Sequence, residues 1–201
     1  MNSFEKPYWD KKQLVLGVDE VGRGPLAGPL VVCGVILPMG FNHPMIADSK
    51  TLSEKKRQIL YPIIINEAVE IIIIRVNEPS IDFLNIYQAT KLAMMEIIRC
   101  SQANFALTDA MPGWVEGKEI TSIVKGDSLS ISIAAASIVA KVIRDYHMKT
   151  LHKQYPQYEF NKNKGYGTKA HFRALKEFGP TPVHRYSYAP VALLSQMKLK
   201  I

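Results

Sequence analysis

With 201 residues, 47% of them hydrophobic, the chain is long enough to bury the core of one domain or of one domain with a small appendage. The N-terminal "MNSFEKPYWDKKQ" is polar and lacks the layout of a secretory signal. The longest apolar runs, "LVVCGVIL" (30–37) and "ISIAAASIVA" (131–140), are too short to span a bilayer, so a cytoplasmic protein with no membrane partner is expected. The net charge of +7 is uneven: residues 1–140 hold 13 Lys and Arg against 15 Asp and Glu, whereas residues 141–201 hold 12 against 3.

The first elements in chain order are two apolar runs, 14–21 and 29–37, joined by a turn rich in Gly and Pro, which together predict a hairpin of two strands. Residues 53–68 form a helical pattern with Ser53 as N-cap, in which Pro62 is expected to produce a kink or a break. "VEIIIIRV" (69–76) then reads as a buried, β-branched strand. Ile86, Thr90, Ala93 and Ile97 repeat at helical spacing within 82–102, and "ANFALTDA" (103–110) is a short strand ending in Asp109. "ITSIVKG" gives another strand. Asp127 follows it and precedes a long helix over roughly 130–150, whose Ala134, Ala135 and Ala136 permit close approach to a sheet. The pattern is α/β with a mixed sheet. Past Tyr155 the chain becomes basic, aromatic and loop-rich, with one clear helix over 168–179, capped by Thr168 and stopped by Gly179 and Pro180. A core over 1–150 and a helical and loop extension over 151–201, packed on it as one folding unit, are expected.

Two cysteines, Cys33 and Cys100, form no metal-ligand spacing and are expected to be reduced core residues. The basic C-terminal stretch is interleaved with Tyr155, Tyr158, Tyr166, Tyr186 and Tyr188, as in proteins that bind a phosphate backbone, although a solubilising surface would carry the same charge. Asp19 and Glu20 stand side by side at the end of the first apolar strand, where two carboxylates repel each other and lose hydration. A nearby cation is needed: Arg23 is the local candidate and a divalent metal the other. Gly22, Gly24 and Gly28 do not form a dinucleotide loop, because a strand rather than a helix follows them, and no Gly-Lys-Ser/Thr marks a P-loop. Asp109 and Asp127 also lie at or beside strand ends, where ligands of α/β sheets bind. Each alone reads equally as a turn residue or a helix cap. As a set of hard oxygen donors they select Mg²⁺ or Mn²⁺ and suit a metal-dependent nuclease.

The blocks "GVDEVGRGPLAGPLV", "DSKTLS", "IDFLNIYQATKLAM", "LTDA", "KGDSLSISIAAASIVAKVIRD", "NKGYGTKAH" and "HRYSYAP", which run in order over residues 17–190, resemble type 2 ribonuclease H, the bacterial ribonuclease HII family. The resemblance implies a ribonuclease H-like fold, a mixed sheet flanked by helices, with a helical C-terminal extension. It implies hydrolysis of the RNA strand of RNA/DNA hybrids, and nicking 5′ to single ribonucleotides in duplex DNA to leave 3′-hydroxyl and 5′-phosphate ends. By the same resemblance Asp19, Glu20, Asp109 and Asp127 hold two metal ions at the scissile phosphate. The Gly22-Arg23-Gly24 turn reads the 2′-hydroxyl, and Tyr166 packs on the neighbouring deoxyribose. Lys50, Ser137, Lys141, Lys164, Lys169 and His171 are candidate phosphate contacts, and Asp145 is expected to have a structural role. Arg23 distinguishes the chain from type 3 enzymes, where Lys is usual. At 188 the chain has Tyr where many relatives have Phe, which would add a hydroxyl at a packing position. A monomer is expected, with a replication clamp as a possible partner of the tail 194–201. The competing readings are a DNA-only endonuclease of the same superfamily, against which a turn that reads the 2′-hydroxyl argues, and a non-catalytic binding module, against which four carboxylates argue.

Overall fold

The computed structural model describes residues 2–46 and 52–198. These fall into two compact units, each assembled from separate stretches of chain. The first comprises 1–21, 31–74 and 90–142, and the second 22–30, 75–89 and 143–201. The cut between 150 and 151 expected from composition does not coincide with these boundaries.

The first unit is built on a five-stranded sheet. After α1 (Lys6–Trp9), β1 (Val15–Val21) and β2 (Leu30–Ile36) pair antiparallel, with Asp19 opposite Cys33. α2 (Glu54–Glu67) follows, then β3 (Glu70–Val76), α3 (Glu78–Leu84), α4 (Ile86–Cys100), β4 (Phe105–Asp109), β5 (Glu119–Ile123) and α5 (Ile131–Gln154). The strand order is β3-β2-β1-β4-β5, with β4 parallel to both β1 and β5. The sheet is therefore mixed, as expected. Neighbouring residues on a strand face opposite sides, so Gly17 and Gly34, one register step apart, mark the two faces. A Cβ on Gly17 would lie 2.1 Å from the backbone of Ser132 in α5. One on Gly34 would lie 2.4 Å from Ile97 in α4. The two helices thus cover opposite faces, and the run Ala134, Ala135 and Ala136 lies fully buried in the close contact that a helix of small residues allows.

Three local expectations are corrected. α2 runs without interruption through Pro62 from its Ser53 cap, whose side chain accepts the Lys56 N–H. Pro62 and Gln58 lie on the exposed face, where water can serve the carbonyl that proline leaves unbonded. β3 is an edge strand, and its isoleucines are not fully buried: Ile71, Ile72 and Ile74 are half-buried and Ile73 is exposed. The helical pattern before β4 is broken by Asn85 at φ 65° into α3 and α4.

In the second unit, α6 (Phe160–Asn163), α7 (Lys169–Phe178) and α8 (Ala189–Lys198) accompany the C-terminal part of α5. Only α7 was legible in the sequence; it is capped by Thr168, which accepts the His171 N–H. Leu26, Ala27, Met148, Tyr158, Phe160 and Leu175 are among the residues of its core. No described helix is long and apolar enough to cross a membrane.

Candidate functional site

The carboxyl ends of the three parallel strands carry Asp19, Glu20 and Asp109, with Asp127 in the turn that follows the third. The pairing of β1 with β4 runs to Val18 and Thr108, and Asp19 and Asp109 are the next residues on each strand. Asp109 in turn pairs with Ile123, and the chain beyond β5 turns through Lys125, at φ 59°, into a 3₁₀ turn, Gly126–Ser128, that contains Asp127. The Gly126 N–H donates to Asp109 Oδ1 at 2.8 Å, which ties the β4 end to the Asp127 turn.

Asp19 is 5% exposed and accepts the Glu20 N–H at 2.7 Å. Burial raises its pKa well above the ordinary carboxylate value. The charges of Glu20 and Asp109 push it further, while a hydrogen bond from the Ser137 hydroxyl works the other way. Ser137, expected at phosphate, therefore serves this carboxylate from α5. Burial and then Asp19 also push the Cys33 thiol up, so it is inert.

The turn closure that could have explained Asp109 and the helix cap that could have explained Asp127 are performed by other residues. At the start of α5, Ser130 Oγ accepts the Ile133 N–H, and Glu5, fully buried, accepts the Ser132 N–H and the Ser130 hydroxyl. Asp127 is thus not the helix cap. After β4, Thr108 Oγ1 closes the turn on the Met111 carbonyl at 2.7 Å. Glu5 was not legible in advance, because nothing local relates it to a helix 125 residues away.

Among the described residues no three His, Cys, Asp or Glu side chains form a ready-made metal cage. An open group of carboxylates in which Glu20 and Asp109 help to raise the pKa of Asp19 suits Mg²⁺ or Mn²⁺, which bind through a few carboxylates and complete their shells with water and substrate phosphate. The donor set fits such an ion and offers no soft ligand for zinc.

In the second unit, the loop 22–29 is held by two buried guanidinium groups. Arg185 donates to the carbonyls of Gly22 (2.7 Å), Arg23 (3.1 Å) and Gly28 (2.7 and 3.0 Å), and the Tyr188 hydroxyl adds a bond to Arg23 O. Arg144 donates to the carbonyls of Ala27, Pro29 and Lys164. Burial, and then the neighbouring charge of Arg185, lower the Arg144 pKa to about 10, while Tyr166, Asp145 and Glu78 support its charge. Gly22, at φ 101°, has no room for a side chain: a Cβ would lie 2.3 Å from Arg144 Nε. The Gly22-Arg23-Gly24 turn is therefore rigid, with Arg23 exposed, and a Cβ on Gly24 would lie 3.5 Å from the ring of Tyr166.

Other expectations are revised. The Tyr188 hydroxyl is part of the support for the turn and does more than pack. His171 is fully buried and cannot reach phosphate; its ring bonds His184 and the Tyr166 carbonyl. Lys164 directs its ammonium to Asn161 O at 2.6 Å. Lys169 is exposed at the start of α7, and Lys141 is half-buried on α5. Of the tyrosines, Tyr158 is core, while Tyr166 and Tyr186 are each 45% exposed. Lys50 lies outside the described residues, as do 199–201 of the tail. Arg144 and Arg185 were overlooked as supports, because basic residues in an aromatic, basic stretch read as solvated or phosphate-binding.

The ribonuclease HII family model matches residues 16–191. A ribonuclease HII of Lactobacillus johnsonii is 49% identical over 192 residues, 94% of this chain and 76% of its own. Among solved structures, the ribonuclease HII of Archaeoglobus fulgidus, in complex with PCNA, superposes with a TM-score of 0.75 at 24% identity, covering 87% of this chain and 95% of its own. Bst-RNase HIII in complex with Mn²⁺ gives 0.64 at 16%, covering 94% and 71%. Family match, close relatives and a shared ribonuclease H-like fold agree with an acidic strand-end site, and the chain belongs to the ribonuclease HII family of endonucleases.

Proposed function

We propose that this enzyme nicks duplex DNA on the 5′ side of single embedded ribonucleotides, as well as cutting the RNA strand of hybrids, and leaves 3′-hydroxyl and 5′-phosphate ends. The observation that carries the reading is the buried Asp19, pressed by Glu20 and Asp109 at the carboxyl ends of adjacent parallel strands. Asp19, Glu20, Asp109 and Asp127 would hold divalent metal, Mg²⁺ or Mn²⁺, which supplies activation of the attacking water and stabilisation of the leaving oxygen. Ser137 orients Asp19, and the Gly126 N–H orients Asp109, so these two carboxylates are held before substrate arrives.

The Gly22-Arg23-Gly24 turn reads the ribonucleotide. A 2′-hydroxyl is both donor and acceptor, and a turn whose exposed third residue, Gly24, has no Cβ lets main-chain groups approach it, while Gly22 leaves room for Arg144. Arg185 and Tyr188 hold that turn in one conformation. The exposed ring of Tyr166, beside Gly24, packs on the sugar that follows the ribonucleotide. Exposed Lys169 and half-buried Lys141 contribute phosphate contacts.

The test is cleavage of a labelled DNA duplex containing one ribonucleotide, beside an all-DNA duplex, with Mg²⁺, Mn²⁺ or chelator, for wild type and Asp109→Asn. Metal-dependent nicking of the first duplex alone, reduced by about a thousandfold or more in the variant, is expected. Cutting of both duplexes would replace this reading with a DNA endonuclease.

A further inference from the structure

Two imidazoles lie buried beside Tyr166, His171 at 0% and His184 at 1% exposure, against the rings of Tyr158 and Phe160. An apolar pair would pack there without desolvation cost, so the polar atoms need a reason. Their hydrogen bonds run in one direction. The Thr181 N–H donates to His184 Nδ1 at 3.0 Å, which makes that nitrogen an acceptor and leaves the proton on His184 Nε2. His184 Nε2 then donates to His171 Nε2 at 3.0 Å, and His171 Nδ1 donates to the Tyr166 carbonyl at 2.9 Å. Each ring has one tautomer that satisfies the chain, and both must be neutral.

The two ends of this relay are informative. At one end, His184 bridges Ala27 in antiparallel fashion, while Gly28 N–H bonds Val183 O and Arg185 N–H bonds Leu26 O. The segment carrying His184 is therefore fastened to the loop that contains the Gly22-Arg23-Gly24 turn. At the other end, Tyr166 O also accepts the Thr168 N–H, and the Tyr166 N–H bonds Asn163 O. The main chain of Tyr166 is gripped on both sides while its ring stays exposed. We propose that His171 and His184 are positioning residues that fix Tyr166 relative to the Gly22-Arg23-Gly24 turn, and so set the enzyme's preference for a ribonucleotide followed by a deoxyribonucleotide.

This rests on the reading of Tyr166 given above. The rings packed on the relay are uncharged at neutral pH, and the adjacent Arg185 directs its guanidinium to the loop carbonyls. Burial lowers both imidazole pKa values, that of His184 to about 3 with His171 as a further cause, so the relay keeps its tautomers through the neutral range.

The test has two arms on the full chain. Nitrogen-15 shifts of the imidazoles should show His171 protonated at Nδ1 and His184 at Nε2, unchanged from pH 8 to 5; the opposite tautomers, or a ring that titrates in this range, would overturn the proposal. In the second arm, the ratio of cleavage at a single ribonucleotide to cleavage of an all-RNA hybrid strand is measured. His171→Leu should lower this ratio about tenfold, and His171→Asn, which retains a donor toward the Tyr166 carbonyl, should restore most of it. A folded His171→Leu with the wild-type ratio would refute the relay's role. Should it fail to fold, the shifts and the Asn variant decide. Tyr166→Ala with an unchanged ratio would refute the reading of Tyr166 itself, whatever the shifts show.

Discussion

Asp19 lies buried beside the charges of Glu20 and Asp109, so the metal-free enzyme carries a repulsion that a bound divalent cation would relieve. Its pKa is higher folded than unfolded. The stability it contributes is full below the unfolded value near 3.8 and is lost as pH rises through the raised folded value. Metal-free protein should accordingly lose melting temperature as pH rises from the ordinary carboxylate value towards 8, and Mg²⁺ should remove much of that loss. Asp19→Asn should abolish cleavage yet raise the metal-free melting temperature at pH 8, as calorimetry with chelator and with Mg²⁺ would show. A variant that melts lower than wild type under chelator would contradict the repulsion. At this scale the sequence was most legible where a residue had no structural excuse, as with two carboxylates on an apolar strand. His171 was misplaced because an imidazole on a helix looks the same in sequence whether it faces phosphate or a buried neighbour.

The central strands could be read from their continuous apolar runs, since β1 and β2 are buried on both faces, and the helices from their periodicity. What periodicity missed was set by context. Pro62 costs its helix a hydrogen bond, but the bond is lost on a solvated face, and Leu60 and Ile64 anchor the helix on either side of it. Pro62→Ala should therefore stabilise the protein by about 1–3 kcal/mol, whereas Ser53→Ala should destabilise it by about 1 kcal/mol. Urea unfolding of the two variants measures both, and a destabilised Pro62→Ala would mean that the proline shapes the helix in a required way. The run of isoleucines in β3 was read as buried because composition does not say whether a strand ends up at the centre or edge of a sheet.

For the whole chain, charge was the clearest signal and also the most overcounted. Of the 12 basic residues after residue 140, Arg144 and Arg185 are spent on loop carbonyls. The remainder should still make substrate binding strongly salt-dependent: affinity for a hybrid, measured with chelator to prevent cleavage, should fall about tenfold or more between 50 and 200 mM salt. A flat response would assign the basic stretch to solubility. Composition could not show that residues 22–30 belong to the same compact unit as the last 59 residues. Seen in the order of synthesis, the turn that would recognise a ribonucleotide is made 163 residues before Arg185, and waits for it before its carbonyls are held. The growing polypeptide thus presents its acidic residues long before it has the means to choose a substrate, and a product truncated before Arg185 would keep the carboxylates but lose the support for discrimination.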